Sequence, residues 1–201
     1  DPGNIIYLEN PTNSGLKAIF GSKDDHKGRL YDFTSEDSEV FVYYSGHGAP
    51  AASEGSGRTY FLPADGRPNQ LSITGYPVDL LYENLSKLTT GPVTVAIDAC
   101  FSGQSQGGSL VQEASPAILN VENPILGMDN GLVFTASKAD QISSWYAENQ
   151  HGLFTYYFLH GLRGEADADE DGAITGEEMG EYLSEEIPRK ARRLHSRDQN
   201  P

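Results

Sequence analysis

Val93-Thr94-Val95-Ala96-Ile97-Asp98 runs without a break into Ala99-Cys100-Phe101-Ser102-Gly103. A short, nearly continuous apolar run that stops at a turn of small residues is the pattern of a strand buried on both faces. Glu39-Val40-Phe41-Val42-Tyr43-Tyr44 has the same character and stops at Ser45-Gly46-His47-Gly48. Leu132–Ser137 is a third such run. Pro77–Leu88 places apolar residues at 78, 80, 81, 85 and 88, which is helical spacing. Gly152–Leu162 and Glu177–Leu194 also read as helices, the second despite Gly180 and Pro188. Buried-type strands alternating with helices predict one α/β domain over residues 1–201, with a mostly parallel sheet. Around this frame, Ile5–Leu8, Tyr60–Pro63 and Ile142–Tyr146 are short strand candidates. Thr12 is placed to cap a helix ending near Phe20. Residues 21–38 read as loop, and 103–130 as a long connection.

Composition narrows the partners. The chain has 201 residues, 14 Lys+Arg against 29 Asp+Glu, and a formal net charge of −15. Such a surface repels nucleic-acid backbones and anionic membranes, and suits a basic peptide or a divalent cation. No apolar run approaches the roughly 20 residues needed to span a bilayer. One cysteine excludes an internal disulfide framework and any multi-cysteine zinc site. The oligomeric state is not legible.

In open α/β sheets the reactive crevice lies beyond the carboxyl ends of the strands. Two of the three strongest strands end there on chemical residues: one delivers His47, the other Cys100. If the strands are parallel neighbours, both side chains emerge at one edge. Thiolate is the reactive form of cysteine, and a nearby imidazole favours it and can later protonate a leaving amine. Gly46, Gly48 and Gly103 would let a substrate backbone approach and leave main-chain N–H groups for an oxyanion. Taken singly, Cys100 could instead be a small core hydrophobe and His47 a turn residue.

Tyr44-Ser45-Gly46-His47-Gly48 and Asp98-Ala99-Cys100-Phe101-Ser102-Gly103 together resemble the paired histidine and cysteine motifs of the caspase-like cysteine peptidases. They are closest to the metacaspase and bacterial caspase-like (orthocaspase) branch. The histidine lies about 50 residues upstream of the cysteine, as in caspases, but Asp98 stands where caspases carry Gln. The likeness extends over most of the chain, including Tyr60–Asp65, the strand around Phe134, and Gly152–Gly161. It implies a three-layer αβα caspase-hemoglobinase sandwich. It further implies an endopeptidase that forms an acyl-enzyme on Cys100, with His47 as general acid and base. The N–H groups of Gly48 and Cys100 would form the oxyanion hole, and the dyad needs no cofactor. Members usually begin with another buried strand and a helix bearing an Asn-Asp-Ala element. This chain begins after them, so its first strand is expected to be missing.

In metacaspases the aspartate two residues before the cysteine lines the primary pocket. That implies cleavage after Arg or Lys, and a carboxylate there would repel a substrate Asp. Capping of the following turn is the other role open to Asp98. Ser144-Trp145 resembles the Ser-Trp pair that caspases place beside the substrate backbone, where an extended peptide can add as a strand. An aromatic covering the core is the alternative for Trp145. Between Phe101 and Ser137 there is no Lys or Arg, so a basic-specific enzyme would not cut itself there.

Asp167-Ala168-Asp169-Glu170-Asp171-Gly172-Ala173-Ile174-Thr175-Gly176-Glu177-Glu178 fits an EF-hand loop position for position. Asp167, Asp169, Asp171 and Glu178 would supply carboxylates to Ca2+, Ala173 a carbonyl, and Thr175 a water-mediated contact. The alternative is an acidic turn that only copies the loop. His26, His151, His160 and His195 show no ligand spacing. Beside the peptidase stands a second expectation: a catalytically silent caspase-like domain acting as a calcium-responsive interaction module.

Overall fold

The computed structural model describes residues 2–51, 58–101, 104–105, 108–109, 131–138 and 141–201. At its centre three strands, β1 (Val40–Ser45), β5 (Val93–Asp98) and β8 (Gly131–Thr135), form a parallel sheet in the order β1-β5-β8. Val40 pairs with Val93 and the register holds to Ser45 opposite Asp98. On the other side Val93 pairs with Gly131 and Ile97 with Thr135. Parallel strands need crossovers. The first carries β2 (Gly48–Pro50), β3 (Thr59–Phe61), α3 (Leu71–Thr74), β4 (Tyr76–Pro77) and α4 (Val78–Leu85). β2, β3 and β4 form a small antiparallel sheet of their own.

Period-two alternation sends β5 into two cores. Val93, Val95 and Ile97 join Val40 and Val42 under Leu81 and Leu85 of α4 and Leu16 of α1 (Asn13–Phe20). Ala96 faces the opposite way, toward Phe154 and Phe158 of α5 (Leu153–His160) and Leu183 and Ile187 of α6 (Gly176–His195). Helices therefore cover both faces, giving three layers. Each large side chain sealed between them contributes about 1.5–3 kcal/mol.

The helix ends follow local chemistry. Thr12 caps α1 by accepting the Gly15 N–H at 3.1 Å. Thr175 and Glu178 form a reciprocal capping box at the start of α6. Arg192, Arg193 and His195 lie in its last turn, where positive charge suits the helix dipole. Pro188 sits inside α6, buried, without ending it.

Four expectations change. Ile5–Leu8 is not a strand: it has no ladder partner among the described residues, and Ile5 and Tyr7 lie open to solvent. Arg29–Phe33 is a short helix, α2, inside the span expected to be loop. Gly28 starts it, and Leu30 and Tyr31 pack against the first core. β1 is buried on one face only, with Phe41 56% and Tyr43 43% exposed, where α5 touches it through Phe158 and Thr155. Ile142–Tyr146 shortens to β9 (Trp145–Tyr146), paired with β10 (His151–Gly152). The long connection lies mostly outside the described residues, apart from a hairpin of β6 (Gln104–Ser105) and β7 (Gly108–Ser109). The family's first strand was expected to be missing from this chain. Among the described residues β1 is the edge of its sheet, and beside it runs a cavity of about 990 Å³ reached by Ile6, Leu8, Ile19 and Phe61.

Because Ile187 is fully buried against α5, Ile187→Ala should lower unfolding free energy by about 2–5 kcal/mol. Loss of the α6 cap in Thr175→Ala should cost about 1 kcal/mol. Urea unfolding followed by circular dichroism measures both.

Candidate active site

The sheet register puts the two expected reactive residues at matching places. Ser45 pairs with Asp98, and the Gly46 N–H donates to the Asp98 carbonyl at 3.2 Å. His47 and Cys100 each follow two residues beyond that last pair. The His47 carbonyl accepts from the Tyr44 hydroxyl at 2.8 Å and from the Leu62 N–H at 2.9 Å, which pins its backbone while the residue itself stays exposed.

Gly48 is buried where the two strand ends meet. A Cβ there would lie 2.4 Å from the Phe101 ring and 3.0 Å from the Cys100 carbonyl oxygen. Only glycine lets the chain close on the cysteine turn. Gly48 stands opposite Phe61 in the ladder, and the bond to Leu62 is made by the His47 carbonyl. Alternate residues of an antiparallel pair turn their N–H groups away from the partner, so the Gly48 N–H points away from β3. Tyr44, Phe61 and Phe101 pack together beneath this turn.

Cys100 is half-buried. Its sulfur accepts the Ser143 N–H at 2.7 Å and reaches the Ser143 carbonyl at 3.7 Å. Among the described residues its hydrogen bonds go to Ser143 and none to the His47 ring. Burial pushes the thiol above its ordinary range. The Ser143 N–H pulls it down, Asp98 pushes it up, and Arg197 pulls it down.

Asp98 is 7% exposed and ties three elements together. Its carboxylate accepts the Ser143 hydroxyl at 2.8 Å, the Thr155 N–H at 3.3 Å and the Thr155 hydroxyl. Thr155 lies in the first turn of α5, so the carboxylate meets the positive end of that helix. The Tyr43 hydroxyl is 2.6 Å from Thr155 Oγ1. Gly152 makes room for this contact, since a Cβ there would lie 2.0 Å from Asp98 Oδ2. Asp98 thus caps a helix distant in sequence.

Ser144 and Trp145 lie next to the Ser143 contact. The Ser144 N–H donates to Gln199 Oε1 at 2.9 Å, and its carbonyl accepts the Leu153 N–H at 2.7 Å. Arg197 donates to the Ser144 hydroxyl, Nη2 at 3.1 Å. Trp145 is 49% exposed, and its carbonyl is 3.1 Å from His195 Nε2. His195 therefore has a structural partner, while His26 and His160 pack on Tyr31 and Tyr156.

The acidic loop stands apart, between α5 and α6. Ligand oxygens of Asp167, Asp169 and Asp171 lie within 4.8 Å of one another. Gly172 takes a φ of 86° at the tight turn. The Glu178 carboxylate accepts the N–H groups of Thr175 at 2.8 Å and Ala168 at 3.1 Å, and the first of these holds its carboxyl below the usual range. The donor set is all oxygen and strongly anionic, which fits a hard divalent cation.

Sequence reasoning missed Ser143, Thr155, Arg197 and Gln199. Their partners lie 43 or more residues away along the chain, and isolated hydroxyls and amides carry no spacing signature. Gly152 offered the one visible cue, a glycine at the start of an apolar helix. The segment expected to escape self-cleavage lies largely outside the described residues.

Comparison with known proteins agrees with this construction. The family model for the caspase domain matches residues 22–192, a span holding the whole parallel sheet, both strand-end turns and the acidic loop. No curated protein matches the chain. A match over that much of the sequence, on a sheet with helices on both faces, establishes that the chain belongs to the caspase-domain family and is cysteine-peptidase-like.

Proposed function

We propose that the protein is a metacaspase-like cysteine endopeptidase that hydrolyses peptide bonds after Arg or Lys. The observation that carries this reading is the register of β1 and β5, which brings His47 and Cys100 to one rim of the sheet, two residues past the Ser45–Asp98 pair. In the reaction the Cys100 sulfur attacks the scissile carbonyl carbon and its proton passes to His47. The carbonyl oxygen takes negative charge and is held by the N–H groups of Gly48 and Cys100. His47 returns the proton to the leaving amine, leaving a thioester on Cys100. Water, deprotonated by His47, then releases the acid and restores the thiol.

A substrate Arg or Lys would pair with Asp98. Three neutral donors orient that carboxylate. Trp145, half exposed, would flank the substrate. Ser144 contributes by holding that wall, since its own N–H and carbonyl are bonded within the chain. The partner is thus a peptide or protein with a basic residue at the cleavage site, matching a chain of net charge −15.

A covalent chloromethyl ketone carrying Arg should label the protein at Cys100 and fail to label Cys100→Ala. A silent interaction module would stay unlabelled in both. Asp98→Asn should lower kcat/KM for Arg peptides by at least about tenfold, the loss of one charged partner. An unchanged preference for Arg would remove Asp98 from the pocket. Because burial raises the thiol, labelling by neutral iodoacetamide should climb with pH to a midpoint above that of an unperturbed cysteine.

We further propose that the 167–178 loop binds Ca2+, through Asp167, Asp169, Asp171, the Ala173 carbonyl and Glu178, with Thr175 acting through water. The converging carboxylates support this. Titration calorimetry should show binding to the parent and at least about tenfold weaker binding to Glu178→Gln, which loses a bidentate ligand. Absence of heat and of any thermal shift in both would end the assignment.

A further inference from the structure

The last residues of the chain, beyond α6 and outside the matched span of 22–192, fold back onto the segment that touches the cysteine. Gln199 is 0% exposed. Its side-chain amide bridges two main-chain groups: Nε2 donates to the Ala136 carbonyl at 2.8 Å, and Oε1 accepts the Ser144 N–H at 2.9 Å. Asn200 N–H donates to Gln141 Oε1 at 2.7 Å. Arg197 donates to the Ser144 hydroxyl through Nε at 3.3 Å and Nη2 at 3.1 Å. Arg192 holds the tail's return by pairing with Asp198 at 2.7 Å.

Ala136 itself is fixed, its N–H donating to Ile97 of the central strand at 2.9 Å. The tail therefore straps residues 141–145 to the end of the sheet. Ser143, within that strapped segment, places its N–H on the Cys100 sulfur and its hydroxyl on Asp98. A fully buried amide with both ends bonded is costly to disturb, because either lost partner leaves an unsatisfied group.

We infer that Gln199 and Arg197 are positioning residues for Cys100, acting through Ser144 to keep the Ser143 N–H on the sulfur. For peptide hydrolysis this rests on Cys100 being the nucleophile; for the thiol itself it does not. The charged groups that act on the sulfur are Asp98 from β5 and Arg197 from the tail, opposite in sign. The titratable His47 stands at the end of the neighbouring strand. Removing Arg197 takes away a favourable charge and loosens Ser144. Removing Gln199 releases the Ser144 N–H and, with it, the neighbouring donor to the sulfur.

Cys100 is the sole cysteine, so the pH profile of iodoacetamide alkylation on the full chain reports this one thiol. Arg197→Ala and Gln199→Ala should each move the midpoint upward by about half a unit, cutting alkylation at neutral pH about threefold. Arg197→Lys should recover most of the shift, and Arg193→Ala, on the exposed side of α6, should leave the profile unchanged. Urea midpoints show which variants are folded. If Gln199→Ala unfolds, the Arg197→Ala and Arg197→Lys pair decides. Unmoved midpoints in folded variants would overturn the inference. So would an equal shift in Arg193→Ala, which would mean a general charge effect. Cleavage of Arg peptides is measured in parallel. A parent that cleaves nothing while the tail variants shift the profile would discard the peptidase reading and keep the positioning role. A parent that cleaves, with tail variants of unchanged profile and unchanged kcat, would keep the peptidase and discard the role.

Discussion

The chemistry proposed at the edge of the sheet depends on the parallel pairing of β1 with β5. Side chains alternate along a strand, so a slip of one residue would exchange its two faces. Val93, Val95 and Ile97 would then meet α5 and α6, where only the small Ala96 now fits beneath Phe154 and Phe158. The packing of both helical layers thus fixes the register, and the register fixes where the strands stop. Gly48 closes the arrangement, because its missing side chain lets one strand-end turn touch the other. The catalytic proposal inherits its geometry from hydrophobic packing some distance below it.

Asp98 is the second constraint. A buried carboxylate without donors is strongly disfavoured, and here hydroxyls and an amide from the 143 segment and the start of α5 meet it. The same contacts bind those two elements to the end of β5. A residue proposed to select substrate is therefore also a structural joint. Gly152 shows how closely the joint is fitted, since no larger residue leaves room for the carboxylate.

Much of the frame was legible because it is written in local pattern. Val93–Asp98 was read with its observed bounds, and the long final helix was read through its internal proline, because periodicity there is strong. The caspase-domain family was legible because its two motifs sit at strand ends, where backbone geometry restricts the residue types. Ile5–Leu8 misled because apolar composition cannot show whether a partner strand lies alongside. Arg29–Phe33 was hidden among glycines and aspartates that suggested loop. The half-open face of β1 was invisible because a strand does not reveal how far its covering helix extends. Ser143, Thr155 and Gln199 could not be found at all, since each acts through a partner remote in sequence and none belongs to a repeating spacing.

The state of the sulfur decides how the proposed chemistry would proceed. Burial and Asp98 favour the neutral thiol, while the Ser143 N–H and Arg197 favour the thiolate. Burial is the largest of these influences, and the balance falls on the thiol side. A resting thiol of this kind is less prone to oxidation than a preformed thiolate. It also yields a more nucleophilic anion once the proton leaves, because intrinsic nucleophilicity rises with thiol pKa. In the proposed reaction the proton would then depart as the sulfur attacks, with His47 as the base of the first step. The Ser143 N–H, held on the sulfur by a strapped main chain, suits that sequence, since it stabilises the thiolate as its proton leaves without having to reorganise.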